Sequence, residues 1–301
     1  MAKVYGPVPS RRLGRSLGID PIPMKTCNWN CVYCQLGRTR RFTRDRKPFV
    51  PACTILEEVE AALCAHQGDR IDWITVVGSG EPTLNSELGA IITRLKDSTD
   101  IPVAVITNGS LLEVREVRNH LLRADAVMPS LDAGTDDLFR RINRPRRSLT
   151  LEKHLDGLRR FREEFCGSLW VEVMLLRGVN DNEGALTAIA EHLLEIRPDR
   201  IDLSYPERPP YESWVRPTDR EGQLRALALL GTAARVLPPT PPDFDFTGGD
   251  VQETLVDVIQ RHPIPVEEIP HTMVENSKVQ RVRRYGRWFW TSREGDYDGD
   301  R

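Results

Sequence analysis

The stretch SLGIDPIPMKTCNWNCVYC, residues 16–34, places a short apolar run before three cysteines that are spaced Cys-x3-Cys-x2-Cys. The apolar run lacks a regular polar alternation, which is typical of a strand buried on both faces. The cysteines then lie in the loop at the carboxyl end of that strand, where open α/β sheets bind their ligands. Three clustered thiols at such a position indicate a metal-binding or catalytic site rather than a disulfide framework.

The composition is that of a globular protein that is not basic overall. The chain has 301 residues, of which 40% are hydrophobic, and a formal net charge of -2. No apolar run reaches the roughly 20 residues that span a bilayer, and the first residues lack the pattern of a signal peptide. We therefore expect a cytoplasmic protein without a membrane partner, whose six cysteines stay reduced.

Further apolar runs follow the first one and alternate with amphipathic, helix-like segments. These runs are residues 71–78, 101–109, 124–133, 169–178 and 201–206. Six strands alternating with helices predict an α/β fold with a parallel sheet. The last helix is expected over residues 220–237.

Beyond this pattern the stretch LPPTPPD can neither extend a helix nor pair as a central strand. We expect residues 1–236 to form the main domain and residues 237–245 to form a proline-rich linker. Residues 246–291 predict a small helical and hairpin module that resembles a winged helix. The polar residues 292–301 are expected to be a disordered tail.

Loops after three of the strands carry polar or glycine residues that suit a ligand site. In GSGEPTL, Gly78 and Gly80 allow a ligand to approach the backbone, and Glu81 adds an acceptor. TNG ends the third strand, and SLD ends the fourth with Ser130 and Asp132. The carboxyl ends of parallel strands share one edge, so we expect these side chains to face the cysteine loop.

Three thiols leave the type of metal centre open. A structural zinc site takes four protein ligands, and the fourth could come from Cys53, Cys64 or His66. An iron–sulfur cubane held by three cysteines instead keeps one iron without a protein ligand. The spacing favours the cubane. Cys53, Cys64 and Cys166 are scattered along the chain, and Cys64 and Cys166, on expected helices, are otherwise expected to be ordinary core or surface thiols.

The cysteine motif with Tyr33 before its last cysteine, together with SGEP after the second strand, resembles the radical S-adenosylmethionine (SAM) enzymes. Ser79 replaces the first glycine of that family's Gly-Gly-Glu motif. The resemblance implies a [4Fe-4S] cluster on Cys27, Cys31 and Cys34. It also implies SAM or substrate contacts from Tyr33, Gly78, Ser79, Gly80, Glu81, Thr107, Asn108, Ser130 and Asp132.

The resemblance covers roughly residues 10–236 and implies a partial (β/α)6 TIM-like barrel. It further implies reductive cleavage of SAM to a 5'-deoxyadenosyl radical that abstracts hydrogen from a substrate, and an electron donor such as flavodoxin or ferredoxin. Residues 5–27 resemble an uncharacterised subgroup of that family, distantly related to the enzymes that build wyosine bases in tRNA. The alternative is a non-enzymatic regulatory or electron-transfer protein that binds zinc or an iron–sulfur cluster.

The substrate is open between two classes. Residues 37–47 and 278–290 are rich in arginine and lysine, which suits the phosphates of RNA. Such charge runs also occur as plain solvated surface. Arg11, Arg12 and Arg15 could instead bind a small anionic substrate at the mouth of the barrel.

Overall fold

The structure of the protein is a computed structural model that describes residues 2–238, 251–269, 274 and 277–293, without the side chains of residues 251–254. Most of the expected linker and of the expected tail, residues 239–245 and 294–301, lies outside the described residues. Within the described part of the chain, no helix has both the length and the apolar content needed to cross a membrane.

The elements alternate between strands and helices along most of the chain. The strands are β1 Val4–Ser10, β2 Gly14–Ile19, β3 Thr26–Cys27, β4 Arg41–Phe42, β5 Trp73–Val77, β6 Val103–Thr107, β7 Ala126–Pro129, β8 Ser168–Met174, β9 Arg200–Ser204, β10 Ala234–Val236, β11 Ile264–Pro265, β12 Val279–Arg284 and β13 Arg287–Ser292. The helices are α1 Ala52–Ala65, α2 Leu88–Ser98, α3 Arg115–Leu121, α4 Asp136–Ile142, α5 Leu151–Glu164, α6 Glu183–Ile196, α7 Arg220–Leu230 and α8 Val251–Arg261. Two 3₁₀ turns cover Pro82–Leu84 and Val266–Glu268.

The main sheet has eight strands in the order β1-β2-β5-β6-β7-β8-β9-β10. Strands β2 to β10 of this sheet run parallel to one another, and β1 pairs with β2 antiparallel. The six expected strands are present as β2, β5, β6, β7, β8 and β9. The chain is therefore a mixed α/β protein with a parallel sheet, and the ends of β2, β5, β6 and β7 bring the candidate loops to one edge.

The helices pack against the sheet through apolar faces, and the helical spacing of apolar residues in the sequence already indicates these faces. In α5 the side chains Leu151, Leu155, Leu158 and Phe161 are buried, and they recur at helical spacing along one face. The hydroxyl of Thr150 caps the helix by accepting a hydrogen bond from the backbone N–H of Lys153. Each fully buried side chain of this kind stabilises the fold by roughly 1.5–3 kcal/mol.

The expectation of one helix over residues 220–237 is wrong. Helix α7 ends at Leu230 because Gly231, at φ 80°, turns the chain and donates its N–H to the carbonyl of Leu227. The following residues Ala234–Val236 then pair parallel with β9 as strand β10. Strand β1 and helix α4 also have no counterpart among the expected elements.

Towards the C-terminus, α8 packs against a three-stranded antiparallel sheet in the order β11-β13-β12. Strands β12 and β13 form a hairpin around Tyr285 and Gly286, whose φ values of 53° and 81° match a two-residue turn. Trp288 is 50% exposed, whereas Phe289 and Trp290 are buried. Two of the three aromatic residues of β13 thus contribute to a core.

Candidate active site

The cysteine loop, residues 27–34, is held against the end of helix α4. The backbone N–H of Asn30 donates to the carbonyl of Asn143 at 3.0 Å, and that of Val32 donates to Ile142 at 2.9 Å. On the other side, Asn28 donates from its amide to the Ser110 hydroxyl at 2.7 Å. These bonds fix the loop to segments that are distant along the chain, since Asn28 and Ser110 are 82 residues apart.

The three thiols of this loop share one half-buried environment. Burial raises the pKa of Cys27 to about 12 and also raises the pKa of Cys31 and Cys34. The charges of Cys27, Asp132 and Cys34 raise the pKa of Cys31 further. The thiols are therefore neutral without a metal, and a bound metal would have to displace their protons.

Amide donors point at two of the sulfurs. The side-chain nitrogen Nδ2 of Asn108 lies 3.7 Å from Sγ of Cys27, and that of Asn143 lies 3.7 Å from Sγ of Cys31. The backbone N–H of Trp29 donates to Cys27 Sγ at 3.4 Å. Donors of this kind stabilise metal-bound thiolates and orient them.

The donor set fits a polynuclear cluster better than a single zinc ion. A structural zinc site takes four protein ligands, so it would need one more than the three cysteines. Of the candidate fourth ligands, Cys53 and Cys64 are exposed on α1, and His66 pairs with Asp69. Three neighbouring thiols with amide donors suit the iron–sulfur cubane.

Glu81 lies behind the site and joins two of the predicted loops. Its side chain is buried, and its two carboxylate oxygens accept hydrogen bonds from the N–H and hydroxyl of Thr83, the hydroxyl of Thr107 and the N–H of Asn108, at 2.5–3.0 Å. Burial raises the pKa of this carboxyl. The geometry makes Glu81 a bridge between the loops after β5 and β6.

Gly80 is required by the protein's own backbone. A Cβ atom on Gly80 would lie 1.9 Å from the carbonyl oxygen of Thr26, immediately before the cysteine loop. A Cβ on Gly78 would lie 2.9 Å from the carbonyl oxygen of Gly80. The sequence suggested that these glycines make room for a ligand. In the structure Gly80 makes room for the backbone of residue 26, whereas Gly78 also borders a cavity.

Ser79 stands where the family motif has its first glycine, and its side chain makes a buried polar contact. Its hydroxyl donates to Oδ2 of Asp20 at 2.5 Å, and its N–H donates to Oδ1 at 3.0 Å. Asp20 is itself 2% exposed. The loop after β5 is thus bonded to the end of β2.

Tyr33 and Asp132, both predicted site residues, contact each other. The Tyr33 hydroxyl donates to Oδ2 of Asp132 at 2.5 Å, and Nδ2 of Asn143 donates to the same oxygen at 2.6 Å. The N–H of Met174 donates to Oδ1 at 2.9 Å. Burial raises the pKa of Asp132 to about 6.

Asn143 was not predicted from the sequence. No local signal distinguishes it, because its contacts with Cys31 and Tyr33 span 112 and 110 residues of chain.

A cavity of about 390 Å³ opens beside these residues. Of the predicted site residues, Cys31, Tyr33, Cys34, Gly78, Ser130 and Asp132 line it. The other predicted residues do not line it, namely Cys27, Ser79, Gly80, Glu81, Thr107 and Asn108. Of these, Glu81 accepts hydrogen bonds from Thr107 and Asn108, and the Asn108 amide lies 3.7 Å from the sulfur of Cys27.

Residues 22–188 match the family described as the radical SAM superfamily. The chain belongs to the radical SAM superfamily. Members of this superfamily are enzymes that use a [4Fe-4S] cluster and SAM, so this protein is a radical SAM enzyme. The three thiols beside a cavity agree with that cofactor pair.

Similar proteins extend the match beyond these residues. A UPF0026 protein of Methanocaldococcus jannaschii is 36% identical over 284 residues, which cover 93% of this chain and 88% of that protein. A protein of Brachyspira hyodysenteriae named GTPase Obg is 46% identical over 201 residues, 67% of this chain. The alignment covers only 29% of that second protein, so its name describes a much longer chain.

Solved structures share the fold. A radical SAM methyltransferase from Sphaerobacter thermophilus superposes with a TM-score of 0.59 at 20% identity, over 73% of this chain and 66% of its own. TYW1 with a lysine-pyruvate adduct bound superposes with a TM-score of 0.50 at 15% identity, over 94% of this chain and 84% of its own. At such identities the likeness concerns the fold alone.

Proposed function

We propose that Cys27, Cys31 and Cys34 bind three irons of a [4Fe-4S] cluster and that the adjoining cavity takes SAM and a substrate side by side. The observation that carries this proposal is that one loop holds all three thiols, with Cys31 and Cys34 lining the cavity and an asparagine amide 3.7 Å from each of the sulfurs of Cys27 and Cys31. When bound, the cluster and SAM supply a reductive cleavage that yields a 5'-deoxyadenosyl radical, which abstracts hydrogen from the substrate.

The chain's own residues then act in two layers. We infer that four cavity-lining side chains or backbones contact SAM directly, namely Tyr33, Gly78, Ser130 and Asp132. The residues behind the wall shape the loops that these four occupy, namely Ser79, Gly80, Glu81, Thr107 and Asn108. The buried wall keeps water from the reacting atoms.

We also propose that the main sheet is curved into the partial (β/α)6 TIM-like barrel of the family, formed by residues 1–236. The α8 helix and the β12–β13 hairpin would belong to a separate module of residues 246–291, joined by the proline-rich stretch 237–245. All six cysteines are free thiols, which supports a cytoplasmic location. There a flavodoxin or ferredoxin would supply the electron.

The contacts of the basic stretches favour a small substrate over RNA. In residues 37–47, Arg44 pairs with Glu113, and Arg46 pairs with Glu116. In the hairpin, Arg284 is 6% exposed and Arg287 pairs with Glu267. Of the three N-terminal arginines, Arg11 and Arg12 line the cavity, whereas Arg15 does not.

The experiment is anaerobic reconstitution followed by iron analysis and electron paramagnetic resonance of the reduced protein, with and without SAM. We expect about four irons per chain and a signal that changes when SAM is added. Alanine at any of the three loop cysteines should abolish the cluster. Alanine at the exposed Cys53, Cys64 or Cys166 is the matched control and should leave it intact. A signal that ignores SAM, or iron loss in a folded control variant, would contradict the proposal.

A further inference from the structure

Part of the cavity wall lies outside the residues that match the radical SAM superfamily. It is formed by Tyr5 of β1, Arg12 in the turn before β2, Arg208 after β9 and His262 at the end of α8. The family match covers residues 22–188, so all four come from segments before or after it. We call these four residues the arginine wall. It faces the same cavity as Cys31 and Cys34.

Most charged side chains around this cavity are already paired. Ion pairs join Arg11 to Glu207 and Arg12 to Glu172, and Asp132 accepts hydrogen bonds from Tyr33, Asn143 and Met174. Arg208 differs, because it has no ion pair with any described residue. Its guanidinium makes one hydrogen bond, from Nη1 to the neutral amide oxygen of Gln35 at 3.2 Å.

The remaining donors of Arg208 are available to the cavity that it lines. A guanidinium carries several N–H donors in a planar fork that matches a carboxylate or a phosphate. Burial and the charge of Arg11 lower the pKa of Arg208 to about 10, so the group is still positively charged at neutral pH. Arg12 adds a buried Nε that has no hydrogen-bond partner.

Gln35 also determines the protonation of His262. Its Nε2 donates to the carbonyl of Arg261 at 2.9 Å and lies 3.1 Å from Nδ1 of His262, while its Oε1 accepts from Arg208. A carbonyl on one side and a guanidinium on the other fix the amide orientation, so Nδ1 of His262 accepts. Burial lowers the pKa of His262 to about 3. The imidazole is thus neutral and carries its proton on Nε2, which is a further donor.

We propose that the arginine wall binds a carboxylate or phosphate group of the substrate, with Arg208 as its principal partner and with Arg12 and His262 as additional donors. This inference rests on the proposed function and names the substrate class as a small organic anion. An anion would complete the charge balance that Arg208 lacks, because the carboxylates that act on it, Glu207 and Glu268, are already paired with Arg11 and Arg287.

Anion binding can be measured without the cluster. The probes are inorganic phosphate and succinate, titrated into the full-length protein by calorimetry at constant ionic strength with chloride as the reference. We expect at least one of them to bind and Arg208→Gln to weaken it at least tenfold. Arg208→Lys keeps the charge but not the fork, so an intermediate loss is expected. The matched control is Arg177→Gln, an exposed arginine paired with Asp219, which should bind as wild type does.

Equal binding in wild type and Arg208→Gln, or no binding of either probe to wild type, would overturn the proposal. A second arm separates the substrate from SAM, whose methionine also carries a carboxylate. In the reconstituted protein, SAM affinity of Arg208→Gln should stay within about twofold of wild type; a tenfold loss would assign Arg208 to SAM and refute the substrate site. The two proposals can fail separately. If the reconstituted wild type shows no SAM-dependent signal but Arg208→Gln still loses phosphate binding, the anion site is supported and the proposed function is contradicted.

Discussion

Helix α8 reaches the loop after β5 through a buried ion pair. Nε of Arg261 lies 3.5 Å from Oδ2 of Asp20, and both side chains are at most 4% exposed. Asp20 also accepts two hydrogen bonds from Ser79. Arg261 stacks over the ring of Tyr5 at 4.8 Å and donates to the carbonyl of Ala2. The C-terminal helix thereby supports both β1 and a loop of the candidate site.

Arg261→Met removes the charge and keeps the length of the side chain, so it tests this contact. Removing one partner of a buried pair costs about 3–5 kcal/mol, since the other charge stays buried. Asp20 keeps its hydrogen bonds from Ser79, so we expect about 3 kcal/mol, the lower end of that range. For a chain of this size that is a fall in melting temperature of roughly 6 °C.

Thermal unfolding followed by circular dichroism measures the effect. Arg287→Met is the matched control, because its pair with Glu267 is about half exposed and worth less than about 1 kcal/mol. Asp20→Asn combined with Arg261→Met should recover part of the loss, since it removes the unpaired charge. A fall of less than about 1 °C in Arg261→Met, or no recovery in the double variant, would refute the role of the pair.

Three further outcomes are expected. Gly80→Ala should prevent iron incorporation, because its Cβ would meet Thr26 O at 1.9 Å, whereas Gly184→Ala, whose nearest neighbour is at 3.8 Å, should incorporate iron normally. Burial lowers the pKa of His154 to about 4. Because the unfolded imidazole binds a proton below pH 6.5 and the buried one does not, about 3 kcal/mol should be lost as pH falls to 4; in urea unfolding, the loss in His154→Phe should be smaller by this amount, and the part that His262 contributes should remain. Deleting residues 246–301 removes Arg261, so we expect the truncated chain to melt lower than the full chain; equal melting would contradict this.

Local patterns in the sequence were enough to identify most of the main sheet. Residues 71–78 and 101–109 contain Trp73–Val77 and Val103–Thr107, because a strand buried on both faces needs an uninterrupted apolar run. Strand β1 was not expected from the sequence because Pro7 and Pro9 interrupt its apolar run. Proline is tolerated there because β1 is an edge strand. The cysteine spacing and the order of the loops likewise depend on short segments alone.

The roles within the site depend on distant contacts. Gly80 and Glu81 belong to a short motif, yet the packing of Thr26 and the donors Thr107 and Asn108 determine what they do. Gln35 meets Arg261 across 226 residues of chain. Hydrophobic periodicity carries no information about such pairs, because they arise only when the parallel sheet brings its loops and the C-terminal helix to one edge. The motif therefore predicts the cofactor, and the tertiary packing determines which side chains face it and which support it.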